Sequence, residues 1–213
     1  MDPAHEQPQR IVLYDDLDTP LAYPTGKVPE ITFRDLSQSP SGVAAYHLNH
    51  LQPFQNPDIS RLARNHRWSP SVASLPHHRP VHTTTYAVFE WGPNQTLGFL
   101  AFGPPTSRPK EKMSAWIVKR SSMQVIAYIN GGKITRSFTA SGTTYKWRTD
   151  DGDRFELATE SNPALPVAVW TRWTNHARPT LHGVLIVSEA GFPVLTEIVA
   201  TLLLNRLAVA KGW

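Results

Sequence analysis

Residues 192–211 read FPVLTEIVATLLLNRLAVAK, and on a helix their apolar side chains cover nearly the whole circumference. Pro193 suits the first turn of such a helix, where its missing N–H group costs no hydrogen bond. The main polar line consists of residues four apart, Glu197, Thr201 and Asn205. A helix that is apolar all round must be buried, either inside protein or inside lipid.

The membrane is the less favoured of these two environments. Spanning a bilayer takes about 20 predominantly apolar residues with few or no charges. Within residues 192–211 the longest run without Asn or a charged residue extends only from Ile198 to Leu204. We therefore predict no transmembrane span and a helix at 193–211 that is enclosed by the protein's own strands.

Apolar and polar residues alternate along many short segments upstream of this helix, and turn residues separate these segments. Such alternation indicates strands, and closely spaced strands indicate a largely antiparallel sheet. The predicted strands are residues 11–14, 30–34, 43–48, 84–91, 95–102, 113–119, 123–130, 134–139, 143–148, 154–159, 167–173 and 183–188.

A closed sheet of this many strands has room inside it, because the diameter of a barrel grows with strand number. An apolar helix can fill that room, as in barrels with a central helix. The predicted fold class is therefore mainly β: a β-barrel of about 10–12 mostly antiparallel strands around a central, buried C-terminal α-helix.

The predicted organisation is a single domain with a lead-in. Residues 1–29 are rich in proline and acidic residues and are predicted to be irregular, apart from the short strand at 11–14. Residues 30–213 form the barrel domain. Residues 52–80 are rich in proline, histidine and arginine, and we predict that they are an insertion that leaves the barrel, with a helical turn near 59–63.

Composition excludes some chemistry and suggests a location. The chain has 213 residues, no cysteine and a net charge of +4, so disulfides, thiol nucleophiles and cysteine-based zinc sites are excluded. The first residues, MDPAHEQPQR, lack the apolar core of a signal peptide. We therefore expect an intracellular, cytoplasmic protein.

A family resemblance is carried by the hairpin RSFTASGTTYKW at 136–147, with residues 155–157, 167–169 and 194–201. These segments resemble an uncharacterised domain family of unknown function that is abundant in mushroom-forming fungi. That family is similar in shape to the tubby C-terminal, LURP-one-related and phospholipid scramblase domains, in which a barrel surrounds a C-terminal helix. The resemblance implies a tubby-like fold. Tubby members bind phosphoinositides and scramblases act on lipids, but none of their binding residues maps onto this sequence.

Basic residues cluster around the predicted strand at 113–119 and the hairpin after it. On one face of the barrel they could bind anionic lipid head groups at a peripheral membrane site, at about 1 kcal/mol per charge near the surface; the alternative is a solvated rim. The candidate lipid-binding residues are Arg108, Lys110, Lys112, Lys119, Arg120, Lys133 and Arg136.

Histidines suggest a metal site less strongly, and we predict none. Half of them lie in the proline-rich region at 52–80, where rigid elements that orient the rings are not expected. They are His47, His50, His66, His77, His78 and His82. We also predict no cofactor and no catalytic residues, because the motifs of nucleophilic and nucleotide-binding sites are missing from the sequence.

The predicted function is a non-enzymatic module that binds anionic lipid or a protein partner. A lipid-handling or metal-dependent enzyme that uses the histidine-rich region is the first alternative. A structural or interaction protein without a ligand is the second. Nucleic-acid binding is not predicted, because a dense basic stripe with exposed aromatic residues is not seen.

Overall fold

Twelve strands form one sheet in the computed structural model, which describes residues 9–16, 30–51, 59–70, 86–91, 98–103, 111–112, 134–149 and 152–211. A 3-10 helix at Glu189–Val194 leads into the C-terminal α-helix, α1, at Leu195–Lys211. The strands are β1 (Arg10–Asp15), β2 (Ile31–Asp35), β3 (Val43–His50), β4 (Ile59–Arg64), β5 (Tyr86–Glu90), β6 (Phe99–Phe102), β7 (Glu111–Lys112), β8 (Ile134–Ala140), β9 (Thr143–Thr149), β10 (Arg154–Thr159), β11 (Pro166–Arg172) and β12 (Gly183–Ser188).

The sheet consists of two runs of neighbouring strands that meet at β1 and β12. Its order is β7-β6-β5-β4-β3-β2-β1-β12-β11-β10-β9-β8, and every neighbouring pair is antiparallel. The antiparallel sheet predicted from the sequence is thus confirmed. The strands predicted at 113–119 and 123–130 lie outside the described residues.

The sheet curves around α1. Every residue of the helix from 195 to 208 is buried, and the helix bonds to strands far apart in the sheet order. Tyr46 of β3 bonds Thr196, and Trp147 of β9 donates to Thr201. A single sheet can reach these distant parts of one helix only if it bends around it, so the predicted mainly β fold with a buried C-terminal helix is confirmed. Among the described residues the sheet is strongly curved but not closed into the predicted barrel, because no pairing joins its outer strands, β7 and β8.

The segment Glu189–Val209 is long and apolar enough to cross a membrane, and an 18-residue window within it has a mean hydropathy of 1.6. However, 89% of this window is buried inside the protein. A helix whose apolar surface is already covered by strands is a core helix, which is the environment favoured by the sequence analysis.

Two sequence predictions for the N-terminal half need correction. The helical turn predicted at 59–63 is wrong, because Ile59–Arg64 is strand β4 and pairs with β3 and β5. Its alternation is hidden because the inward position 60 is a serine, whose hydroxyl accepts a hydrogen bond from Trp91 Nε1 at 3.0 Å. Residues 59–70 therefore belong to the sheet and its connections rather than to an insertion.

The strand predicted at 11–14 is confirmed as β1, but its position was not anticipated. It lies in the middle of the sheet, between β2 and β12, instead of within an irregular lead-in. Its partner β12 comes near the end of the chain, so no local pattern could have shown the pairing.

Candidate functional site

The predicted basic cluster is largely outside the described residues, and one of its members is buried. Arg136 is 2% exposed and lies opposite Trp147 in the β8–β9 pair. A side chain buried there cannot bind a lipid head group at the surface, so the prediction for Arg136 is wrong. Lys112 is in β7. The residues outside the described part are Arg108, Lys110, Lys119, Arg120 and Lys133.

The sequence did contain a signal for the burial of Arg136. In a strand, residues two apart point to the same face, and Arg136 is two residues before Phe138, which is buried at 4% exposure. The parity of the strand therefore places the arginine on the inner face with the phenylalanine.

Two of the histidines make structural hydrogen bonds. His47 Nδ1 lies 3.1 Å from Thr32 Oγ1, and His50 Nδ1 lies 3.1 Å from Ser60 Oγ. Within the described ranges, no three His, Cys, Asp or Glu side chains are arranged to hold a metal ion. His66 is exposed, and His77, His78 and His82 lie outside those ranges.

A buried ion pair, which the sequence analysis missed, ties β1 to α1. Arg206 Nη1 donates to Asp15 Oδ1 at 3.1 Å, with side chains 2% and 0% exposed. Trp170 Nε1 donates to Asp15 Oδ2 at 2.7 Å, and the guanidinium lies 4.0 Å from the centre of the Trp170 ring. Since both charges are buried and bonded, the network fixes one end of β1 against the helix.

Tyr46 and Tyr145 are buried, and Tyr46 bonds Thr196 in the first turn of α1, at the end of the helix opposite to Arg206. Burial raises the pKa of Tyr46 to about 12, against the smaller lowering effect of the Thr196 hydrogen bond. Burial likewise raises the pKa of Tyr145. Both phenols therefore stay protonated at neutral pH, and they act as core residues.

A cleft of about 300 Å³ opens beside the other end of β1 and is the candidate functional site. Its size is at the lower end of the range for ligand pockets. Residues from β1, from the end of β2 and from the segment after β4 line it: Arg10, Ile11, Val12, Tyr14, Asp35, Leu36, Ser37 and Pro70.

The cleft exists because β1 and β2 pair only at one end. β1 pairs with β12 along all six residues, from Arg10 to Asp15. With β2 it pairs only at Tyr14 and Asp15. Beyond Asp35 the chain turns away towards β3. In the described part of the chain, the edge of β1 from position 10 to position 13 therefore faces the cleft instead of a neighbouring strand.

Hydrogen bonds hold the wall opposite β1 in place. The Asp35 carboxylate accepts from the Ser37 N–H at 2.9 Å, from the Ser37 hydroxyl at 2.6 Å and from Trp68 Nε1 at 3.0 Å. Gln38 Nε2 donates to the Ser69 carbonyl at 2.6 Å, next to Pro70. These bonds connect the turn after β2 to the segment after β4, so the cleft is formed in the free protein.

Gly42 is required for the shape of this wall. Its φ is +74°, and a Cβ atom there would come within 2.6 Å of Leu36 Cδ2. Because glycine alone meets both conditions without strain, Leu36 can fold back over the turn and line the cleft.

An aliphatic surface adjoins the cleft on the outer face of β11, β12 and β1. Val169, Ile186 and Val12 lie side by side in one cross-strand row. Thr171, Val184 and Tyr14 form the next row. All six are partly exposed. We call these six residues the outer patch; it shares Val12 and Tyr14 with the cleft.

The fold and this cleft define a mainly antiparallel β protein that is built around a buried C-terminal helix and carries a groove beside a central strand. The chain belongs to a family of unknown function, DUF6593, whose model matches residues 63–207. The match begins inside the region predicted to be an insertion, at the end of β4. No curated protein matches the chain, and no solved structure does. The lining of the cleft other than Pro70 lies between Arg10 and Ser37, before the matched residues.

Proposed function

We propose that the protein is a non-enzymatic binding module that holds an extended segment of a protein partner in the cleft beside β1. The incomplete pairing of β1 is the observation that carries this proposal. The strand is held by β12 along its whole length, but towards β2 the edge at 10–13 borders the cleft. Open strand edges bind extended peptides through main-chain hydrogen bonds, with pockets for alternate side chains.

Two further features support a protein ligand. The cleft walls are fixed by hydrogen bonds, so binding does not require ordering of the site, which is one of the main costs of association. The outer patch next to the cleft offers aliphatic area that a partner can cover beyond the bound segment. The combination of an apolar surface and a pre-formed groove suits a protein segment better than a lipid head group.

Anionic lipid has less support than a protein partner. The arginine of the predicted lipid site whose side chain is described, Arg136, is buried. The tubby-like resemblance implies a fold, and none of the lipid-binding residues of those domains maps onto this sequence. The lipid reading therefore depends on residues outside the described part of the chain, whereas the cleft lies within it.

The test is selection of peptides from a display library of random nine-residue peptides on the full-length protein. One selected peptide is then synthesised, and its affinity is measured by fluorescence polarisation. We expect Val12→Lys, at the wall of the cleft, to weaken binding at least about tenfold. Val169→Lys is the matched control, because Val169 lies in the same cross-strand row but two strands away from β1, so that a nine-residue peptide along the cleft does not need to contact it.

Several outcomes would overturn the proposal. Failure to recover any peptide, or equal affinities for the Val12→Lys and Val169→Lys variants, would do so. A dimer in analytical ultracentrifugation that Val12→Lys dissociates would show that a second copy occupies the cleft instead. If Val12→Lys does not fold, Ser37→Arg on the exposed side of the opposite wall takes its place.

A further inference from the structure

The backbone of β1 shows which of its groups a bound segment can use. Asp16 N donates to the Thr32 carbonyl at 3.3 Å, and in the same register Tyr14 is opposite Arg34. In an antiparallel pair every second residue directs both its N–H and its C=O towards the same neighbour. The next residue in this series is Val12, so its N–H and C=O point into the cleft.

The direction of the bound segment follows from that of β2, which ends at Asp35. All neighbouring strands of the sheet are antiparallel. The space beside positions 10–12 is where β2 would continue if it did not turn away after Asp35. A segment that enters this space in the direction of β2 meets Val12 with the antiparallel hydrogen-bond geometry that the adjacent pairs already use.

Strand alternation then assigns an environment to each side chain of the segment. The residue opposite Ile11 points inward, because Ile11 is buried at 3% exposure and lines the cleft, so this position requires an apolar side chain. Residues opposite Val12 and Arg10 point to the outer face. The residue opposite Val12 adjoins the outer patch, where a β-branched side chain packs well.

The residue opposite Arg10 meets a positive charge. Arg10 is exposed, and among the described residues no carboxylate forms an ion pair with it. Asp35 is the other charged residue of the lining. It is buried at 4% exposure, and both of its oxygens accept hydrogen bonds. The charge available to a ligand at this end of the cleft is therefore positive, and an acidic side chain complements it.

Building on the proposed function, we infer that the bound segment is an antiparallel strand in which a β-branched, an apolar and an acidic residue follow one another from N- to C-terminus. The β-branched residue pairs with Val12, the apolar residue lies inside the cleft beside Ile11, and the acidic residue faces Arg10. Three residues in an extended conformation span about 10 Å, which matches the open edge of β1.

The probe is a synthetic nine-residue peptide with Val-Leu-Asp at its centre and serine and glycine on both sides. A second peptide has lysine in place of the aspartate. We expect the full-length protein to bind the aspartate peptide about fivefold more tightly than the lysine peptide, the size of one exposed ion pair. Arg10→Glu should reverse this preference. Arg154→Glu, an exposed arginine on β10 away from the cleft, should leave the preference unchanged.

A pair of N-methylated peptides tests the strand geometry. Methylation of the valine nitrogen removes the N–H that would bond the Val12 carbonyl, and we expect a loss of at least about tenfold. Methylation of the leucine nitrogen removes an N–H that points away from β1, and affinity should stay within about threefold. Equal effects of the two methyl groups would overturn the inferred strand addition.

The outcomes separate the inference from the proposed function. If selected peptides bind in a way that Val12→Lys abolishes, but Arg10→Glu and valine methylation have no effect, the inference is wrong and the proposed function remains. Failure of the Val-Leu-Asp peptide to compete with such a selected peptide has the same meaning. If Val12→Lys itself has no effect, the proposed function is wrong as well.

Discussion

Breaking the buried ion pair between Asp15 and Arg206 should destabilise the protein strongly, whereas replacing both charges should not. In Asp15→Asn the amide oxygen still accepts from Trp170, but the buried Arg206 guanidinium loses the carboxylate that it donates to. Removing one partner of a buried ion pair costs about 3–5 kcal/mol of unfolding free energy. Arg206→Met leaves the carboxylate buried in the same way and should cost a similar amount.

The double variant removes both charges of this ion pair. It loses a charge-assisted hydrogen bond and the contact of the guanidinium with the Trp170 ring, which together amount to about 2–5 kcal/mol. It also avoids the desolvation cost of two buried charges, so that replacing a whole buried ion pair is often close to neutral. The two single effects would sum to about 6–10 kcal/mol if they were independent. We therefore expect the double variant to be more stable than either single variant.

The assay is urea unfolding of the four proteins, followed by tryptophan fluorescence and circular dichroism. The control is Arg154→Met, which breaks the pair with Glu156, whose side chains are 57% and 26% exposed; an exposed pair of this kind contributes up to about 1 kcal/mol. If the effects of the two single substitutions add within about 0.5 kcal/mol, the reasoning is refuted, because independent sites behave in that way.

Further predictions concern the core and the lipid alternative. Burial raises the pKa of Tyr46 from 10.0 to about 12, so its stabilising contribution is complete below pH 10 and is lost as the pH rises towards 12. At pH 11 the wild type should have lost about 1.4 kcal/mol more than Tyr46→Phe in urea titrations. Gly183→Ala places a methyl group against a buried carboxylate and an indole nitrogen; we expect a loss of about 1–3 kcal/mol in thermal unfolding. Leu203→Asp puts an unpaired charge in the enclosed helix, so circular dichroism should show no cooperative melting. Vesicles that contain phosphoinositides should not pellet the protein in sedimentation; salt-sensitive pelleting that Lys110→Glu and Lys112→Glu weaken would favour lipid over a protein partner.

The strands and the helix were predictable because they depend on local periodicity. Residues 183–188 alternate between inward Gly183, Leu185 and Val187 and outward side chains, and they form β12 within the predicted bounds. α1 is apolar all round, and burial follows from that property alone. β4 was missed because its inward residue Ser60 is polar, and only its partner Trp91, 31 residues later, explains the serine.

The candidate site was not predictable, since it depends on contacts between distant parts of the chain. Asp15 and Arg206 are 191 residues apart, and in the sequence Asp15 is one of several acidic residues near the N-terminus. The cleft depends on where the pairing of β1 with β2 stops. No property of residues 10–13 themselves shows that β12 pairs with one of their edges, whereas within the described part of the chain the other edge faces the cleft.

An open edge in the middle of a sheet needs an explanation, because unpaired strand edges promote association with other sheets. Here the edge is short, and the turn after β2, fixed through Asp35 and Trp68, stands opposite it as the second wall of a narrow cleft. A whole sheet cannot approach an edge inside a cleft, whereas a single extended segment can enter. The exposed charge of Arg10 at the end of the edge also disfavours edge-to-edge association, since charged side chains are one of the means by which proteins protect strand edges. The same features that limit non-specific association therefore select a single, extended and acidic segment, and this selectivity is the reason to regard the cleft as a binding site rather than a defect in the sheet.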